Sequence, residues 1–365
     1  MSAPVAVRPT SPPPAGAGAP VRRRRPRTPI VVGALLGALL LSAVLSIGFG
    51  AEPLPPRVVL EVLDHRLLGG TADPTWDAIV WDIRLPRTLL AIVVGAGLAI
   101  AGTGIQTLVR NPLADPYLLG VSSGASVGAT AVITTGLFAG AGLWALSLGA
   151  LAGALAAALL VFGIAMAQGG LTPLRLVLTG TVLSSAFSAF ASFLVFRSSD
   201  PQAAQSVLFW LLGSLSGAAW DQLLLPTATV AIVGGLLMAG CGWLDALAAG
   251  PDTAAALGVP VRVLRNVLFV LLAALVGVLV AVAGGIGFVG LILPHVARLL
   301  VGARHRAVLP VAALAGALFL VWVDVAARVA VRPTEVPLSV VTGLIGAPIF
   351  LLLLGRRTYR FGGSS

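Results

Sequence analysis

Few residues of this 365-residue chain could do chemistry, and their spacing narrows what that chemistry is. Gly120-Val121-Ser122-Ser123-Gly124 has the G-x-S-x-G spacing of a hydrolase nucleophile elbow, for which His295 would be the base. The elbow works where a strand meets a helix at a sharp turn. Here it lies in an apolar run with glycines four residues apart, a pattern that favours helix packing over nucleophilic catalysis. The three histidines, His65, His295 and His305, fall on separate segments, and a single cysteine, Cys241, excludes a disulfide framework and a cysteine metal cage. Ferric ion needs a cluster of hard oxygen ligands. None is visible in the apolar stretches, so a bare ferric site is excluded. His295, beside Pro294, reads as a structural hydrogen bonder at a broken helix. The chain has no Lys and no G-x-x-x-x-G-K-[ST] loop, so any use of ATP belongs to another polypeptide.

The charged residues carry the remaining signal. All 23 basic residues are Arg, and the net charge is +10. In a chain this apolar, a topological explanation fits better than nucleic-acid binding. Arg84-Leu85-Pro86-Arg87 opens a span on the expected outer face, where two cations oppose both the helix dipole and the positive-inside bias. Arg328 could complete a cationic patch there, suited to docking an acidic external partner. Asp324, four residues earlier, has the spacing of an intrahelical partner for Arg328.

These residues must be positioned by membrane helices. Between Asp115 and Arg175 run 59 residues without Asp, Glu, Lys, Arg or His, while a spanning helix needs about 20. Hydrophobic residues make up 58% of the chain and charged residues 10%, leaving little for a soluble domain. The expected fold is all-α and polytopic. Ten spans are expected, near 30–50, 88–109, 117–138, 142–166, 174–196, 222–241, 263–283, 286–302, 308–329 and 338–354. With both termini cytoplasmic, 16 of the 23 Arg fall inside, which agrees with the positive-inside rule. Residues 1–29, Pro-rich and ending in an Arg run, are expected to form a disordered cytoplasmic tail. Residues 30–355 would be the transmembrane domain and 356–365 a short cytoplasmic C-terminus. Glycines at four-residue spacing (Gly33/Gly37, Gly120/Gly124/Gly128, Gly149/Gly153) read as packing faces, and Pro294 and Pro348 should break or kink their spans.

Several ordered blocks then stand out. They are Arg84-Leu85-Pro86-Arg87, Asn111-Pro112-Leu113-Ala114-Asp115-Pro116, Gly285-Ile286-Gly287-Phe288-Val289-Gly290 with Pro294-His295, and Glu335-Val336-Pro337 with Gly346-Ala347-Pro348. Together they resemble the FecCD family of ATP-binding-cassette (ABC) importer permeases, which includes permeases for ferric siderophores, haem and cobalamin. The resemblance runs from about residue 30 to 354 and implies a ten-span, non-enzymatic subunit in the cytoplasmic membrane. Such a subunit dimerises around a central pore, with itself or with a sister permease. It would bind no cofactor, with ATP and Mg used by a partner ATPase and cargo supplied by a substrate-binding protein. By the same resemblance, Arg84, Arg87 and Arg328 would receive the binding protein. The loop containing Gly250, Asp252, Thr253, Leu257 and Gly258 would couple to the ATPase. That loop departs from the family at Ala249, where Leu is usual, and at Pro251, where Glu is usual. Thr172, Pro173 and Leu174 would form a cytoplasmic gate, and Thr179, Thr181, Ser184, Ser185 and Thr342 would line the pore. Ferric siderophore is the expected cargo. A secondary transporter would instead carry acidic residues at mid-membrane, and Asp324 is the acid expected inside a span.

Overall fold

The computed structural model describes residues 28–50 and 52–355. The expected N-terminal tail up to residue 27 and the segment 356–365 lie outside the described residues. The described chain is helical, with one isolated bridge between Val331 and Thr334 and no strand among the described residues. In order the helices are α1 (Thr28–Gly48), α2 (Pro56–Leu68), α3 (Pro74–Asp77), α4 (Leu85–Leu108), α5 (Val121–Thr135), α6 (Ala145–Ala167), α7 (Pro173–Arg197) and α8 (Ala203–Leu211). They continue with α9 (Leu224–Ala239), α10 (Cys241–Ala249), α11 (Pro251–Ala256), α12 (Val261–Ala283), α13 (Val289–Val301), α14 (His305–Val329) and α15 (Leu338–Gly355). Every expected span coincides with a helix. Among the described residues seven helical segments are long and apolar enough to cross a membrane, and α5, α13 and α15 are shorter.

Helix α4 is the central stave, packed against α14, α13, α12 and α9. Close backbone approach explains how it fits. A Cβ on Gly95 would overlap the Gly316 carbonyl of α14, and one on Gly102 would overlap the Gly290 carbonyl of α13. Between apolar helices such approach at small residues replaces the hydrophobic drive available in water. The expected α5–α6 seam forms the same way, with Gly124 against Gly153 and Gly128 against Gly149. Two expectations fail. A Cβ on Gly33 or Gly37 would meet no atom within 4 Å, so they pack against nothing among the described residues, and Gly120 has φ +74°, a turn requirement rather than a packing one.

The prolines do not break their helices: α13 continues through Pro294 and α15 through Pro348. The interruption lies upstream, at residues 284–288, where Gly284 and Phe288 have positive φ. Unwound backbone in an apolar bundle must find partners. The Tyr117 hydroxyl donates to the Ile286 carbonyl (3.0 Å) and accepts from the Ile286 N–H (2.7 Å), while the Ser339 hydroxyl donates to the Gly285 carbonyl (2.6 Å). The amides of Ser339 and Leu338, at the start of α15, in turn reach the Leu212 and Gly213 carbonyls at the end of α8. The end of α8, the unwound segment and the start of α15 are thereby tied together.

Candidate functional site

On the outer side, seven residues of π-helix (Ala78–Arg84) lead into α4. Arg84 and Arg87, three apart, share one face of this turn and point inward. The Arg84 guanidinium donates to the Ile47 carbonyl (2.8 Å) and the Glu52 carbonyl (2.6 Å). Arg328 donates to the Phe49 carbonyl (2.7 Å) and, more weakly, to the Ser46 carbonyl (3.4 Å). Two cations thus sit on the last carbonyls of α1, where the helix dipole is negative. Arg87 binds Asp324 Oδ1 through Nε (2.9 Å) and grips both carboxylate oxygens of Glu335 (2.7 and 2.9 Å). Asp324 Oδ2 lies 3.0 Å from Arg328 Nε. The expected pairing of Asp324 with Arg328 is present, with Arg87 added from another helix.

This changes the picture of an open cationic patch. Arg84, Arg87 and Arg328 are only 8%, 7% and 6% exposed, and each is engaged by its own chain. The chain accepts the cost of burying these charges because carboxylates and helix-end carbonyls satisfy them together. The Glu335 side chain, one-third exposed, is the open edge of the network.

Toward the cytoplasm, α7 carries a hydroxyl stripe. Thr181, Ser184, Ser185 and Ser188 face a cavity of about 430 Å³ that also meets Asp115 and Tyr117. The spacing is helical, i, i+3, i+4, i+7, so one face presents all four. Thr179 sits two positions earlier, about 200° away, and is 8% exposed. Thr342 is fully buried, its hydroxyl donating to the Ser339 carbonyl (3.3 Å). Thr179 and Thr342, expected on the pore wall, are therefore packed inside the bundle. Asp115 accepts from the Tyr117 amide (2.9 Å) as cap of a 3₁₀ turn, and loss of hydration pushes its carboxyl up to about 6.

The other expected cytoplasmic residues range from exposed to half-buried, apart from Gly250, which is buried. Thr172 caps α7, its hydroxyl accepting weakly from the Arg175 amide (3.4 Å), Pro173 opens the helix, and Leu174 is 69% exposed. Gly250, at φ +136°, joins α10 to α11 in a conformation that a side chain disfavours, and Pro251 occupies the first turn of α11. Asp252, Thr253, Leu257 and Gly258 are exposed, while Ala254 and Val259 anchor the loop.

A second polar network nearby has no signal in local sequence. Asp245 accepts from the His305 amide (2.9 Å) and imidazole Nδ1 (2.6 Å), and His305 Nε2 meets the Thr107 hydroxyl (2.7 Å). Gln106 Oε1 accepts from both terminal nitrogens of Arg298. These contacts join helices far apart in the chain, so neither spacing nor motif could announce them.

Comparison with known proteins identifies the family. The sequence pattern of the FecCD transport family matches residues 30–356. The chain belongs to that family. It is 40% identical over 326 residues to the ABC transporter permease protein YvrB of Bacillus subtilis, covering 87% of this chain and 91% of the relative. Identity is 36% with the molybdate import permease MolB of Haemophilus influenzae (89% and 95% coverage), and 42% with the vitamin B12 import permease BtuC of Salmonella paratyphi A (76% and 84%). A solved inward-facing structure of a metal-chelate type ABC transporter superposes with TM-score 0.79 at 34% identity, covering 90% of this chain and 100% of that one. This FecCD member is therefore a membrane-embedded permease subunit of an ABC importer, a transport component rather than an enzyme, and works with an ATPase and a substrate-binding protein.

Proposed function

We propose that this permease forms one wall of a passage for a metal chelate of the ferric-siderophore type, delivered by a substrate-binding protein. The carrying observation is the hydroxyl stripe of α7, where Thr181, Ser184, Ser185 and Ser188 face one cavity. Hydroxyls exchange weak hydrogen bonds with a ligand shell without holding it, which suits a cargo that must leave as readily as it enters. The carboxyl of Asp115 at the inner end disfavours a small oxyanion and tolerates a neutral or cationic chelate. The likeness to a metal-chelate type transporter supports the same class.

The exposed face of α7, with Leu178, Val182 and Phe196 largely uncovered, is proposed to meet a second permease copy across the passage, with lipid covering the remainder. The Thr172-Pro173-Leu174 turn closes the inner mouth, and the exposed rim of α11 seats in the ATPase. On the outer face, Arg84 and Arg328 hold the shape of the rim, and a carboxylate of the binding protein reaches Arg87 by displacing Glu335, the exposed edge of the network.

The test is uptake in proteoliposomes containing the permease, its ATPase and its binding protein. ATP-dependent accumulation of a ferric siderophore is expected. Accumulation of cobalamin or molybdate in its place would replace the cargo reading. Uptake without the ATPase would overturn the importer itself.

A further inference from the structure

A separate cavity of about 260 Å³ opens at the cytoplasmic end of the bundle, where α4, α10, α13 and the start of α14 meet. Gln106, Thr107, Arg110, Ala248, Arg298 and His305 contribute to its wall, and among the described residues no Asp or Glu does. Asp245 stands behind the wall, already taken by His305. Among its contacts, Arg298 donates to the side-chain carbonyl oxygen of Gln106. The Arg110 guanidinium makes no hydrogen bond or ion pair with another described residue. It lies within electrostatic range of Arg265, whose Nε is buried without a hydrogen-bond partner. Guanidinium groups gathered about a cavity, with no carboxylate among the described residues of its wall, form a field that favours an anion.

The backbone supports the same reading. The Arg110 amide bonds the Thr107 carbonyl and the Asn111 amide the Gln106 carbonyl, the two hydrogen bonds of a Schellman end to α4. Arg110 occupies the position usually given to Gly, at φ 55°. A non-glycine residue held there persists only where its surroundings demand it. This conformation aims the side chain toward the start of α11, placing Nη2 close to Gly250.

We propose that this cavity binds a phosphate-class oxyanion between Arg110 and Arg298, and that its occupancy ties the α4–α13 core to the α10–α11 segment that faces the ATPase. Guanidinium forks match the tetrahedral oxygens of phosphate better than any neutral group. The cavity holds a single phosphate head with water and is too small for a siderophore or cobalamin, so it is distinct from the α7 passage. The same chemistry is presented by free phosphate and by the phosphodiester of an acidic phospholipid reaching up from the inner leaflet.

Titration calorimetry of the full-length chain in detergent, with inorganic phosphate at constant ionic strength set by chloride, reads the site directly. Native mass spectrometry of the same preparation reads any retained phosphatidylglycerol. Saturable phosphate binding is expected, weakened about tenfold or more in Arg110→Gln by loss of a charge-assisted contact. Ala248→Trp, which fills the cavity without touching a charge, should abolish it. Retained phosphatidylglycerol that both variants lose would assign the same site to a lipid head. Phosphate binding no stronger than chloride with no lipid retained, or binding unchanged in both variants, would overturn the site. None of these readings depends on the cargo.

Discussion

Asp324→Asn is the most informative single change. Asp324 is 1% exposed and stands between two guanidiniums, Arg87 Nε at 2.9 Å and Arg328 Nε at 3.0 Å. Removing one member of a buried ionic network costs about 3–5 kcal/mol, because the remaining charges stay desolvated. Here the loss falls at the low end. Arg87 keeps Glu335 at 2.7 Å, and Arg328 keeps the Phe49 carbonyl at 2.7 Å. About 3 kcal/mol, at roughly 2 °C per kcal/mol for a chain of this size, lowers Tm by about 6 °C. Glu335→Gln, with a side chain one-third exposed, should cost about 1 kcal/mol or less. Thermal unfolding of the purified chain, followed by tryptophan fluorescence, measures both, and Trp322 lies two residues from the change. A double replacement by apolar residues, Arg87→Met with Asp324→Leu, should recover part of the loss. If Asp324→Asn shifts Tm no more than Glu335→Gln does, the network is not a closed internal latch and the reasoning fails.

Further outcomes test other parts of the molecule. Asp115 titrates near 6 in the folded chain, above its ordinary value, so its protonated form fits the fold better. Stability from this group is full at low pH and falls as pH rises through about 6. The effect is about 1–3 kcal/mol, and Asp115→Asn should flatten the pH profile of Tm over that interval. Gly128→Leu drives a side chain into the Gly149 carbonyl and should separate α5 from α6, lowering the yield of folded chain in detergent by gel filtration; Gly33→Leu, which meets nothing, should not. Ser185→Trp should block the α7 cavity and reduce uptake in proteoliposomes while leaving Tm within about 1 °C, since Ser185 is exposed. Gly250→Ala forces a side chain into φ +136° and should weaken cargo-stimulated ATP hydrolysis, read as phosphate release, more than basal hydrolysis.

The helical, membrane-spanning class was legible in the charge-free runs, because a bilayer penalises unpaired polar groups so strongly that composition reveals the answer. Gly124 and Gly128 were legible as a seam because their spacing encodes one helix face. Gly95 and Gly102, seven apart on α4, carried no such mark, and only the crossing partners Gly316 and Gly290 reveal their role. Thr179 and Thr342 were misplaced for a related reason. A hydroxyl on a span reads alike whether it faces a cavity or bonds a carbonyl, and the rotation of the helix decides which.

Sequence by itself determined that the chain is helical, where its apolar segments lie, and that no nucleotide loop is present. It also determined the ordered blocks that mark a FecCD permease. Tertiary structure alone decided that Arg84, Arg87 and Arg328 turn inward onto α1, Asp324 and Glu335. It alone brought Arg110, Arg298 and His305 to one cavity. The first set follows from local preference and hydration, which each residue carries with it. The second depends on contacts between segments up to 282 residues apart, which exist only after the helices have packed.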